Sequence, residues 1–456
     1  MVQYRADEAE QIRENVRYVW LDFMPMQEFR EHPLIIVGGD GIRCRSLEGK
    51  EYIDAIGGAS VTNIGYNNAA VRDAIKRQAD ELLFWPILHS TTVPAVQLAR
   101  RLADLLPGDL NNAFLLSGGS EATECAMKMA RQYHVNTGSP LRSKIVSRYW
   151  AYHGSTKGAL SASGVADKQL FDPFLPGFIH VLPPYCYRCP FGQTPETCDI
   201  ECARAVEWTL RLEGRGTVAA VIADPIMAAA GIIVPPKAYY QILREACDKS
   251  GALLIFDEVL TGFGRTGYLF AAEMYGVVPD IICLGKGISG GYAPLAATVA
   301  RDTVADAFLG PKEAGLTFLH GNTFGGHPLA CAVGLAAIDE LLTRDLVGNS
   351  RKVGAYLKDC LVAMQERHPI IGDVRGVGLL VGFELVRDRE TRELFDKKQA
   401  PAPRVREKAF ERGLITRGSL HVVQLTPPLI ITEAEVDEIM VILEACVAEV
   451  EAELRQ

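Results

Sequence analysis

Two apolar runs in the middle of the chain end on residues that could do chemistry together. GALLIFDEVLTGFGRTG (251–267) ends its run at Asp257 and Glu258, and PDIICLGKGISGG (279–291) ends its run at Lys286, between two glycines. In an open α/β sheet, ligands bind beyond the carboxyl ends of the strands. An acid at position 257 and a lysine at position 286, on two such ends, can converge on one ligand. A lysine held away from water there is partly the neutral amine, the form that condenses with a carbonyl. For GKG alone a surface lysine in a turn is the plainer account; the acid at the neighbouring strand end tips the balance.

Four further motifs surround that pair. SGGSEATE (117–124) follows the run AFLL and opens a helical stretch. Gly118 and Gly119 let the backbone approach a ligand, Ser120 offers an N-cap and a hydroxyl, and the free N–H groups of a helix start cradle an anion. A plain N-cap is the alternative there. WAYHGST (150–156) puts Tyr152 beside a glycine turn after the run SKIVS, where a ring can stack on a planar ligand; ordinary packing is its alternative. HGNTFGGHPLACA (320–332) is a Gly/Thr/His loop entering a long helix, able to bind a phosphate or merely to connect. GFGRTG (262–267) matches the dinucleotide fingerprint G-x-G-x-x-G. The segment after it, YLFAAEMYGVVPD, sets aromatics and a turn where the helix should begin, and a suitable acid about 20 positions on is not obvious.

These residues need elements to position them. Residues 69–330 alternate amphipathic stretches (AAVRDAIKRQADELL, SEATECAMKMARQYH) with short apolar runs (AFLLS, SKIVS, FIHVL, VAAVIAD, GALLIFDEV, PDIICLG). That alternation predicts βαβ units and a mostly parallel sheet covered on both faces. The stretch 1–30 has helical spacing, and 34–56 read as a glycine-broken meander. Beyond position 330 the chain changes to an α+β pattern, with a strand pair in VRGVGLLVGFELV. The expected fold class is therefore α/β: a large mostly parallel-sheet domain (69–330), and a smaller α+β domain built from both termini (1–68 and 331–456).

Composition agrees with a folded, water-soluble chain. Its 456 residues are 48% hydrophobic and 23% charged, with a net charge of −9. The balance excludes a disordered or collagen-like chain, and the acidic sign argues against general nucleic-acid binding. The charged amino terminus lacks a secretory apolar core. The most apolar stretch (217–236) is broken by Asp224 and prolines, so no membrane span is expected. A cytoplasmic location follows, with the 11 cysteines mostly reduced.

Taken together, the motifs resemble the class III (omega-type) aminotransferases, pyridoxal-phosphate enzymes of fold type I. The resemblance runs from GKEYIDAIGG to PPLIITEAEVDEI. It implies pyridoxal 5′-phosphate as cofactor and a ping-pong Schiff-base mechanism. The amino group would move from an omega-amino acid or amine to an α-keto acid such as pyruvate. Lys286 would join the cofactor's aldehyde and shuttle a proton between the substrate Cα and cofactor C4′. Asp257 would pair with the pyridine nitrogen. Val259, on the same strand face as Asp257, would pack on one ring face, with Tyr152 on the other. Gly119 and Ser120 would hold the phosphate, and Thr323 would reach the phosphate of a neighbouring subunit, making the active unit a homodimer or larger. Arg417 would bind the substrate carboxylate, and Trp85 would stand at the pocket mouth. A solvated strand-end arginine and a core tryptophan are the respective alternatives.

The sequence departs from that family in places. Gly118 and Thr123 stand where the phosphate loop usually carries serine and asparagine, Asp224 replaces the usual glutamate before proline, and Tyr66 replaces a histidine after Gly65. Decarboxylases, racemases and phospho-lyases of the same fold use the same lysine and aspartate, and a NAD-dependent dehydrogenase is a distant alternative resting on GFGRTG. YCYRCPFGQTPETCDIECAR (185–204) carries Cys186, Cys189, Cys198 and Cys202. Free thiols, a structural zinc site and disulfides all suit that spacing; no metal is assigned to the catalytic centre.

Overall fold

Uncharged runs of Val, Ile, Leu and Ala must be covered on both faces. The structure, a computed structural model describing residues 4–214 and 216–455, puts them in a seven-stranded sheet. Three strands precede that sheet in the chain: β1 (Ile36–Asp40), β2 (Arg43–Ser46) and β3 (Glu51–Asp54). The sheet itself is built from β4 (Leu110–Leu116), β5 (Lys144–Arg148), β6 (Phe178–Val181), β7 (Val218–Ala223), β8 (Leu253–Asp257), β9 (Ile281–Leu284) and β10 (Ala296–Arg301). Its order is β4-β10-β9-β8-β7-β5-β6. The pairs β5/β6, β5/β7, β7/β8 and β8/β9 are parallel, whereas β10 runs against both β9 and β4.

The apolar-run reading anticipates every strand of this sheet except β10. AATVAR has no bulky apolar run of its own; its strand state comes from being buried between two others. The reversal at β10 leaves β4 pointing the same way as β5 to β9. The carboxyl ends of β4, β5, β7, β8 and β9 therefore meet along one edge.

Period-two alternation divides the strands between two cores. Leu253 and Ile255 of β8 join the cluster under the helix Gly119–Asn136, while Leu254 and Phe256 join the larger cluster that holds Tyr239, Tyr240 and Leu243 of the helix Lys237–Ser250. Each such side chain contributes about 1.5–3 kcal/mol on burial.

Two four-stranded sheets complete the molecule. In the first, β1–β3 form an antiparallel meander, and β13 (Leu414–Ile415) joins β3 in parallel from the far end of the chain. In the second, β11 (Ile371–Val377), β12 (Leu380–Leu385), β15 (Val422–Leu425) and β14 (Arg417–Ser419) lie in that order, all antiparallel. Among the described residues no helix is long and apolar enough to cross a membrane.

Candidate active site

The edge where those carboxyl ends meet carries the predicted residues. Asp257 is the last residue of β8 and is buried. Its Oδ2 accepts from His153 Nδ1 at 2.7 Å, and its Oδ1 accepts from Val259 N–H at 3.2 Å. A carboxylate with both oxygens held is fixed in direction. His153 sits in the loop after β5, where its backbone N–H donates to Ser163 Oγ and its carbonyl accepts from Thr123 Oγ1, both at 2.8 Å. Sequence reasoning chose Tyr152 from this loop and passed over His153. The available signal was a histidine beside a glycine at a strand end.

Lys286 follows β9 and takes a left-handed backbone conformation, φ +45°. Such strain costs roughly 1–3 kcal/mol and collects at functional sites. Burial lowers the Lys286 ammonium to about 8, with Arg417 and Arg265 pushing the same way and Asp257 opposing. Asp257 and Arg417 are thus each within electrostatic reach of Lys286, although Arg417 stands on a different sheet from Asp257.

Two local expectations are corrected. Val259 is not on the strand face of Asp257, because β8 ends at Asp257 and Val259 lies in the turn beyond it. From there its methyl groups cover Gly119 and Gly285: a Cβ on either glycine would lie 2.8 Å or 3.1 Å from Val259 Cγ1. Ser120 is not the N-cap, since Gly118 caps the helix and Ser120 is its second residue. Glu121 serves the helix start instead, its Oε2 accepting from Ser117 N–H at 2.9 Å. This frees Ser120 Oγ to accept from Ser155 N–H at 3.0 Å, which ties the helix start to the loop of Tyr152 and His153. Tyr152 is partly exposed, with its hydroxyl 2.8 Å from Ser155 Oγ.

Behind this edge lie buried polar groups that the sequence does not reveal. Glu258 accepts from Ala271 N–H (2.7 Å), Ala272 N–H (2.8 Å) and Thr261 Oγ1 (2.9 Å), which folds the chain back after β8; burial raises its carboxyl to about 7. Arg265 donates to Leu379 O at 3.0 Å and to Asn63 Oδ1 at 2.8 Å, pinning the GFGRTG turn to segments from both ends of the chain. Gly264 packs on Leu429 and Gly267 on Arg351, so these glycines serve packing, not a dinucleotide. Asp224, after β7, pairs with buried Arg148 at 2.6 Å. The shorter acid thus meets an arginine from the end of β5.

The remaining predicted residues stand further out. Arg417 begins β14 and is exposed. Trp85 is 47% exposed and donates its indole N–H to Ser90 Oγ at 2.7 Å, so it is not a core residue. Thr323 lies on an exposed turn. Neither Trp85 nor Thr323 hydrogen-bonds to Asp257 or Lys286. Their segments meet instead, through Phe84 against Phe324 and Ile87 against Gly326.

The donor set fits a phosphorylated aromatic aldehyde. It has a helix start with a hydroxyl for an anion, a desolvated amine, and a carboxylate fixed at a strand end. His153 Nε2 is also buried without a partner.

Comparison with known proteins points the same way. The family model for class-III aminotransferases matches residues 26–447. An adenosylmethionine-8-amino-7-oxononanoate aminotransferase from Geobacter sulfurreducens is 40% identical over 426 residues, 92% of this chain and 93% of that protein. A putrescine–pyruvate aminotransferase from Pseudomonas aeruginosa is 34% identical, covering 90% of each. The crystal structure of an (S)-enantioselective omega-transaminase from Thermomicrobium roseum superposes with a TM-score of 0.93 at 38% identity, over 99% of this chain and 100% of that one. A desolvated lysine and a fixed aspartate at adjoining strand ends, within a match that spans nearly the whole sequence, make this chain a member of the pyridoxal-phosphate-dependent class III aminotransferases.

Proposed function

We propose that the protein moves an amino group from an omega-amino acid or amine to an α-keto acid such as pyruvate, in two half-reactions through one pocket. The observation that carries this reading is the placement of Lys286, half-buried just past β9, beside Asp257 at the end of the adjoining parallel strand β8. Bound pyridoxal 5′-phosphate would supply an aldehyde that takes up the amino group and a ring that delocalises the charge left at the substrate carbon.

The chain's own residues do the rest. With the cofactor bound, Lys286 would hold its aldehyde, and as a free amine it would carry a proton to and from the reacting carbon. Asp257 would favour a positive charge on the ring nitrogen by attraction, and His153 holds the Asp257 carboxylate in a fixed direction. Val259 and Tyr152 would hold the ring. Gly119, Ser120 and the helix N–H groups would hold the phosphate. Arg417 takes the keto acid's carboxylate in its planar fork, and Trp85 lines the entrance for an amine with an apolar body. Leu83, Phe84, Trp85 and Leu88 are exposed on one segment, and Phe84 packs on exposed Phe324; exposed apolar groups close together mark interfaces. That surface supports a homodimer or larger assembly in which Thr323 reaches the neighbouring subunit's phosphate. Residues 69–330 act as the cofactor-binding domain, and 1–68 with 331–456 as the smaller one.

Incubation with pyruvate and a panel of amines should yield alanine. Carbon dioxide or phosphate release without alanine would reassign the reaction to a same-fold decarboxylase or phospho-lyase. Exchange at Cα alone would indicate a racemase.

Two further outcomes test the assigned residues. Arg417→Ala should raise KM for pyruvate by roughly 10–100-fold, the worth of a charge-assisted fork. It should leave KM for an uncharged amine nearly unchanged; equal losses for both would count against the assignment. Apoprotein should capture the cofactor faster as pH rises through about 8. The neutral amine is half the Lys286 population there and falls about tenfold per unit below it. A capture rate flat between pH 6.5 and 9 would contradict a lysine of that ionisation (both ends lie within roughly 1.5 units of 8).

A further inference from the structure

None of the chemistry above uses the cysteine loop between β6 and the helix Glu201–Leu212. Its four thiols are unbonded. Cys186 and Cys189 flank a turn at Tyr187 and Arg188. Such a turn holds its end Cα atoms within about 7 Å, which overlaps the roughly 4.4–6.8 Å span of a disulfide. The loop then curls back on itself. Gly192 N–H donates to Cys189 O at 3.1 Å and Cys198 N–H to Thr194 O at 2.9 Å, and Cys202 lies in the first turn of the helix. The thiols consequently converge: Cys186 senses Cys189 and Cys198, and Cys202 senses all three. Among the described residues no group of His, Cys, Asp or Glu is arranged to hold a metal ion.

The residues beside these thiols grip the sheet that carries Arg417. Arg188 Nε donates to Glu384 Oε1 at 2.6 Å, and Tyr185 donates to the same carboxylate. Arg188 also donates to Arg392 O at 2.7 Å, and Arg392 returns a bond to Tyr187 O at 2.6 Å. Glu384 is buried on β12. β12 pairs with β15, and β15 pairs Gln424 with Arg417 on β14. The turn between the two cysteines is thus one end of a contiguous path to the exposed arginine.

We propose that Cys186 and Cys189 form a reversible disulfide that loosens the Arg188–Glu384 clamp and thereby weakens keto-acid capture at Arg417. The oxidant is a low-molecular-weight disulfide such as oxidised glutathione. The Cys189 thiolate attacks it, breaking its S–S bond and releasing one glutathione thiolate. Cys186, whose thiol is pushed up by burial, then loses its proton and displaces the second glutathione from Cys189. Two protein thiols lose two protons and two electrons, and one glutathione disulfide becomes two thiols. The bond would fix the side-chain torsions of both cysteines and so constrain the turn that aims Arg188 at Glu384, which is the loosening the proposal requires.

The experiment uses the holoenzyme incubated with oxidised glutathione near pH 8.5, then alkylated and mapped by mass spectrometry. The proposal expects a Cys186–Cys189 link and a several-fold rise in KM for pyruvate with KM for the amine unchanged. Dithiothreitol should reverse both, and Cys186→Ser should show neither. The mapping of the wild-type chain needs no variant and does not depend on the aminotransferase reading; the KM shift rests on that reading. Four alkylated thiols after oxidation would overturn the proposal, as would one zinc per chain shielding all four. A link that forms without changing KM for pyruvate would overturn its coupling to Arg417.

Discussion

Lys286→Ala is expected to abolish amino transfer, with a loss on the order of 10⁴-fold or more, the scale seen when a covalently acting residue is removed. Two functions disappear together. The aldehyde would lose its covalent anchor, and the amine assigned to move a proton at the reacting carbon would be gone. Folding should survive, because the left-handed backbone at position 286 is no worse for Ala than for Lys. Removing an amine that burial already disfavours in its charged form also relieves a cost. The direct check is borohydride treatment of the loaded protein followed by peptide mapping. Wild type should carry a pyridoxyl group at Lys286 and the variant none. A wild-type label at another lysine, or a variant retaining most of the rate, would end the assignment. Thermal unfolding of the variant close to wild type separates lost chemistry from lost structure.

The sequence was most informative at the strand ends. The runs before Asp257 and Lys286 became β8 and β9, adjacent and parallel, because short uncharged runs leave few ways to be covered. Three kinds of feature were not legible. β10 lacks an apolar signature, and its partners on both sides supply its conformation. The end of β8 falls before Val259 because Glu258 captures the N–H groups of Ala271 and Ala272, an interaction across 13 and 14 positions that no local pattern encodes. The Arg148–Asp224 pair spans 76 positions. Asp224 alone read as a departure from the family, and only the fold shows that an arginine from β5 meets it. Period and composition report what must be buried; they do not say which polar group meets which.

Asp257→Asn tests whether the charge, and not the shape, of the residue behind the ring matters. The amide is nearly isosteric, so β8 and its packing should persist. Its polarity is wrong on one side, however. Of the two oxygens now held by His153 Nδ1 and Val259 N–H, one becomes an NH₂ that faces a donor or the ring nitrogen. The attraction that keeps that nitrogen protonated is lost, and with it the means to delocalise negative charge from the substrate carbon. A single fixed electrostatic group of this kind is worth roughly 10²–10³ in kcat. Cofactor affinity should fall far less, because the Lys286 anchor and the helix start at Gly119 and Ser120 are untouched. His153→Ala makes the graded control: it removes the orienting donor but leaves the charge, so its loss in kcat should be smaller than that of the asparagine variant. If Asp257→Asn releases the cofactor while bound enzyme turns over normally, the carboxylate is a binding group, and proton control at the ring must be assigned elsewhere.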